Sequence, residues 1–149
     1  FKSKDDLLIS LFKEKLTQIL DGLKKEIEPI ESVRERFHKI ITYHLAVASN
    51  DPTLASFITL ELRRSAKFMR EYTKIELTAY LDEWAKVIQS GKDAGVFRSD
   101  FSVTIFVHML FGALDQACVA WVNNPQREKR DLEEVGRQLS VLFYRAIAV

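Results

Sequence analysis

Residues 101–122, FSVTIFVHMLFGALDQACVAWV, are apolar nearly all the way round a helical wheel. Ile105, Met109, Gly112, Gln116 and Val119 form one stripe, and Phe106, Leu110, Ala113, Leu114, Ala117 and Trp121 another. A surface helix has one apolar face and one polar face. A helix with two apolar faces needs cover on both sides. Its own core supplies one cover; a ligand, a second subunit or a membrane must supply the other. The stretch is long enough to span a bilayer. Against that stand His108, Asp115 and Gln116, and a central Asp costs roughly 2.5–3.5 kcal/mol on insertion. No Lys/Arg cluster flanks its N-terminal end and no signal peptide opens the chain. The expected state is a buried helix of a soluble protein, with no membrane partner.

The remaining segments read as helices too. Ser3 caps the first, with Asp5 and Asp6 at the positive end of its dipole. Leu8, Phe12, Leu16, Ile19, Leu23 and Ile27 then recur every three or four residues. Pro29 ends that helix, and Ser32 with Glu35 opens the next as a capping box. Between Thr53 and Ser90 lie 38 residues without Gly or Pro. One straight helix of that length would run roughly 57 Å, longer than the diameter of about 40 Å expected for a compact chain this size. The segment must break, and the apolar stripe gives out between Ser65 and Arg70. Gly95 suits a left-handed helix end. Ser102 or Asp100 caps the central helix, and Asp131 with Glu134 opens the last. The prediction is an all-α domain over residues 1–149, with six helices near residues 3–28, 32–50, 52–65, 68–94, 102–122 and 131–148.

Charge and cysteine content narrow the function. With 22 Lys+Arg against 21 Asp+Glu, the net charge of +1 is too balanced for a domain that grips nucleic acid. The single cysteine, Cys118, excludes an intrachain disulfide and fits a reducing cytoplasm. There is no Gly-rich phosphate loop, nucleophile elbow or HExxH, so no catalytic group and no metal ligand is assigned. His44 and His108 lie on apolar stripes, as hydrogen-bonded core residues or as contacts to a polar part of a ligand. Cys118 in apolar surroundings is expected to be inert. Asp115 sits mid-helix where an unpartnered carboxylate costs several kcal/mol. It therefore needs a helix-to-helix partner, a solvated cavity or a subunit boundary. Asp115 and His108 are two turns apart, and a small helical enzyme using them as an acid–base pair is the rival reading.

Arg63, Arg64, Lys67, Arg70 and Lys74 gather at the expected break. They form either a solvated face or a dock for an anion, for which Arg is well shaped. Phe57, Phe68, Tyr72, Trp84, Phe106, Leu110 and Phe111 are either core packing or the wall of an elongated apolar pocket.

FKSKDDLL at the N-terminus resembles the junction between the DNA-binding head and the regulatory domain of TetR-family bacterial repressors. GKDAGVFRSDF resembles the turn before that family's penultimate helix, and FGALDQACVAWV with the amphipathic segment after it resembles its two dimerising helices. LELRRS and GALDQACVAWV resemble the FadR-like, fatty-acid-responsive branch. The resemblance implies that the family's helix-turn-helix head is absent from this sequence apart from its last residues, Phe1 and Lys2.

The resemblance implies a cytoplasmic TetR-like ligand-binding and dimerisation domain whose last two helices form a four-helix bundle in a homodimer. Gly112, Ala113, Gln116, Val119, Gly136, Ser140 and Phe143 are the expected interface. It implies no cofactor but an effector, a long-chain acyl-CoA. Filling the pocket would release operator DNA, held through the missing head, and derepress fatty-acid degradation genes. The aromatic set above would form the wall, and Arg63, Arg64, Lys67 and Arg70 would meet the CoA head. Another apolar small molecule is the alternative effector.

Overall fold

The computed structural model describes residues 2–71 and 75–149. Seven α-helices stand among the described residues: α1 Lys4–Ile27, α2 Val33–Asn50, α3 Pro52–Ser56, α4 Ala66–Glu71, α5 Ile75–Asp93, α6 Val103–Val122 and α7 Lys129–Ile147. No strand occurs among them; Phe97 and Ala148 form one isolated antiparallel bridge.

The helix starts follow local chemistry. Ser3, Ser32 and Ser102 each accept a backbone N–H three residues on, from Asp6, Glu35 and Ile105, at 3.1, 3.3 and 3.3 Å. Each removes one orphan donor from a first turn. Pro52 opens α3, with Asp51 Oδ1 accepting the Leu54 N–H at 3.0 Å. Gly95, at φ 71°, takes the left-handed conformation after α5. Gly91 answers a different need, close approach: a Cβ there would stand 2.2 Å from Cδ2 of the buried Phe97. The expected start of the last helix is corrected. The reciprocal cap joins Glu128 and Asp131, with the Glu128 N–H reaching Asp131 Oδ2 at 2.9 Å. Glu134 instead accepts from Arg137 and Gln138.

The long segment breaks where the chain length demanded, but in more pieces than expected. After α3 the ladder widens over Phe57–Glu61, where the Leu62 N–H reaches back five residues to Phe57 O. It then tightens into a 3₁₀ turn, Leu62–Arg64. Ser65 is extended at φ −81° and ψ 117° and ends the run. Its hydroxyl accepts the Phe68 N–H at 3.1 Å and starts α4. The single helix expected over residues 68–94 is represented by α4 and α5; residues 72–74 between them lie outside the described set.

α6 is long and apolar enough to cross a membrane, yet here it packs on α2, α3, α5 and α7. Phe106, Val107, Leu110, Leu114, Cys118 and Trp121 are its buried stripe. The opposite stripe is open: Ile105 is 63% and Met109 59% exposed, and Gly112 and Gln116 are also exposed. α7 packs along α2 and α6. It leaves Val141 and Leu142 exposed. Gly136 and Ser140 point the other way. Both are buried, and a Cβ on Gly136 would lie 3.1 Å from the α2 residue Leu45. Their small size thus serves the α2–α7 contact within the chain.

Candidate functional site

A cleft beside α6 offers about 650 Å³ of space between atoms, its open mouth included. α1 contributes Phe12, Leu16 and Ile19 at helical steps of four and three. α2 adds His44, Val47 and Ala48; α3 and the widened turn add Leu54, Ala55, Ile58 and Thr59. α5 supplies Leu77 and Tyr80, and α6 supplies Phe111, Asp115 and Cys118. Arg63, from the 3₁₀ turn, completes the lining. Wide-ladder turns of this kind recur at functional sites because they re-aim side chains. Here the irregular turn delivers a guanidinium to an otherwise apolar space.

Arg63 forms a two-pronged pair with Asp115, Nη1 to Oδ2 at 2.7 Å and Nη2 to Oδ1 at 2.6 Å. The side chains are only 25% and 22% exposed. Planar guanidinium and carboxylate match in this geometry. Asp115 therefore has the helix-to-helix partner its position required, and that partner also faces the cavity.

The other titratable lining groups are neutral at pH 7. His44 Nδ1 lies 2.9 Å from the Tyr80 hydroxyl, and its ring meets Trp84 and Phe111 edge-on at centroid distances of 5.4 and 5.9 Å. Burial lowers its pKa from 6.5 to about 4, against the pull of Asp115. Burial drives the Tyr80 hydroxyl upward and pushes the Cys118 thiol up to about 12, with Asp115 adding to the rise and Arg63 opposing it. Cys118 is thus held as an unreactive thiol. The walls carry one cation, one anion and no net charge among the described residues.

Of the seven aromatic and aliphatic wall candidates, Phe111 alone lines this cleft among the described residues. Phe68 stands one layer back, edge-on to Phe12 at 5.0 Å. Trp84 backs His44 and Phe111. Phe106 belongs to an aromatic cluster with Phe37, Phe101 and Phe143. Leu110 is fully buried and Phe57 half-buried, both away from the cleft. Tyr72 lies outside the described residues.

Bulky rings fill space, so a cavity opens where side chains are small. Ala48, Ala55, Thr59 and Cys118 are the signal in the sequence that ring-seeking passes over. Of the basic residues, Arg63 faces inward, Arg64 is exposed beside Glu61 at 3.5 Å, Lys67 pairs with Asp6 and Arg70 is exposed. His108 is exposed, bonded to Thr104 O at 2.7 Å, and does not line the cleft. The acid–base pair with Asp115 is therefore not assembled.

Helices wrapped round an apolar, charge-balanced cleft match the C-terminal regulatory region of TetR-type transcription regulators. The family described as "YsiA-like protein, C-terminal region" matches residues 12–145, and the chain belongs to it. It is 32% identical over 127 residues, 85% of its length, to the fatty acid metabolism regulator protein of Bacillus subtilis (strain 168). It spans 66% of that relative, just under two thirds. The fatty acid degradation regulator FadR from Bacillus halodurans superposes with a TM-score of 0.88 at 28% identity, covering 97% of this chain and 74% of that one. FadR from Bacillus subtilis, solved in complex with stearoyl-CoA, superposes with a TM-score of 0.87 at 30% identity, covering 97% and 76%.

Proposed function

We propose that this domain senses long-chain acyl-CoA for a TetR-like repressor, and that filling the α6 cleft releases operator DNA and derepresses fatty-acid degradation genes. The observation that carries this is the apolar cleft itself, in a fold matching a FadR solved with stearoyl-CoA. Each buried CH₂ is worth about 0.8 kcal/mol, so a long chain supplies most of the gross affinity, offset by lost ligand freedom. Arg63, Arg64, Lys67 and Arg70 are the cations near the cleft for the CoA phosphates; Arg63 is held by Asp115 and Lys67 by Asp6, whereas Arg64 and Arg70 are exposed. A ligand shifts only an equilibrium whose states it binds unequally. α4 is the element through which filling acts: its Phe68 and Lys67 hold Phe12 and Asp6 on α1.

The open stripe Ile105, Met109, Gly112 and Gln116, with Ala113 and Val119 beside it and Leu142 and Phe143 on α7, is the face for a second copy in a cytoplasmic homodimer. Native mass spectrometry of protein purified from cells tests the effector. Mass added in units of an acyl-CoA supports the reading. A co-purified apolar compound without CoA would replace it.

A further inference from the structure

The guanidinium in the cleft wall is already paired with a carboxylate of the same wall. Arg63 and Asp115 lie side by side in the wall, each with both polar prongs engaged with the other. Asp115 is the one carboxylate among the described lining residues, and Arg63 the one cation. Both keep about a quarter of their side-chain surface open, whereas the rest of the lining is apolar but for His44, Thr59, Tyr80 and Cys118. The pair is therefore the one charged spot in the wall among the described lining residues.

We propose that Asp115 is a specificity determinant: by cancelling Arg63 it makes the cleft refuse a free carboxylate and accept an acyl chain whose head is neutral, such as an ester or thioester. The inference rests on the acyl-chain reading above. A fatty-acid carboxylate at this point loses its water and meets Arg63 and Asp115 together. The attraction of one is countered by the repulsion of the other, and an ion in an apolar site without net compensation is strongly disfavoured. His44 does not repair the balance. It is uncharged at neutral pH and already engaged with Tyr80 through Nδ1. A thioester carbonyl brings no charge, so it escapes this penalty and needs only a hydrogen bond. Without the Asp115 carboxylate, the same Arg63 becomes a carboxylate receptor of the usual two-pronged kind.

The test is calorimetric titration of laurate and of lauroyl-CoA, both below micelle-forming concentration, into three delipidated proteins. They are the wild type, Asp115→Asn, and the double variant Arg63→Met with Asp115→Leu. Asp115→Asn should bind laurate on the order of tenfold tighter than the wild type, and the double variant should lose that gain. Laurate binding unchanged in Asp115→Asn overturns the proposal. So does an equal gain in the double variant, because loosened packing and not charge would then explain it. If circular dichroism shows Asp115→Asn unfolded, Asp115→Ser carries the same comparison. Lauroyl-CoA judges the acyl-CoA reading separately: its failure to bind wild type removes that effector, while the laurate comparison still decides the role of Asp115.

Discussion

Acid should loosen this domain through His44. In the folded chain its pKa is about 4, against 6.5 for an ordinary imidazole, because burial among Tyr80, Trp84 and Phe111 penalises the charged ring. Above pH 6.5 both folded and unfolded chains hold a neutral ring, and the group contributes no pH dependence. As pH falls below 6.5 the unfolded chain takes up the proton first, so stability is lost progressively until the folded ring also protonates near pH 4. A shift of this size, at 1.36 kcal/mol per unit, corresponds to about 3 kcal/mol. Urea unfolding at pH 7.5, 6.5, 5.5 and 4.5, compared between wild type and His44→Gln, isolates it. Asp6, Asp100 and Glu134 have lowered pKa values in both proteins and cancel in the difference. The wild-type curve should fall away from that of the variant by a few kcal/mol between pH 6.5 and 4.5. Parallel curves, or the His44 ring proton (assigned by its loss in His44→Gln) titrating near 6.5 by NMR in the folded protein, would refute the reasoning.

Gly91→Ala should destabilise the domain by about 1–3 kcal/mol, since the new methyl meets Phe97 at 2.2 Å. A thermal melt lower by several degrees is expected, and an unchanged melt contradicts the packing described at that turn. The wild type should scatter light as a dimer of twice 17.2 kDa at micromolar concentration. Ile105→Glu should convert it to monomers, because a two-fold axis repeats each added charge. A dimer untouched by that substitution places the interface elsewhere.

The sequence was most legible where local chemistry decides. Ser3, Ser32 and Ser102 cap helices because a hydroxyl before an apolar-periodic run has little else to do, and the break at Ser65 followed from chain length against domain size. It was least legible where three-dimensional partners decide. The last helix starts at Lys129 because Glu128 and Asp131 bond reciprocally, an alternative equal in pattern to Asp131 and Glu134. Asp115 announced its need for a partner, but Arg63 stands 52 residues away, and only the irregular turn before Ser65 brings them together. The lining of the cleft was less legible than its existence, because bulky rings fill space rather than open it. Most of those rings were needed to fill the core behind it, and the space opened over Ala48, Ala55 and Thr59.

Titration of stearoyl-CoA into delipidated protein, with CoA alone and a cleft-filling Leu54→Trp variant as comparisons, tests the central claim most directly. Leu54 lines the cleft and is only half-buried, so the larger ring takes the chain's space without entering the packed core. The account predicts micromolar or tighter binding of stearoyl-CoA to the wild type, far weaker binding of CoA, and loss of stearoyl-CoA binding in the folded variant. Stearoyl-CoA binding equally well to Leu54→Trp, or no better than CoA to the wild type, would contradict it.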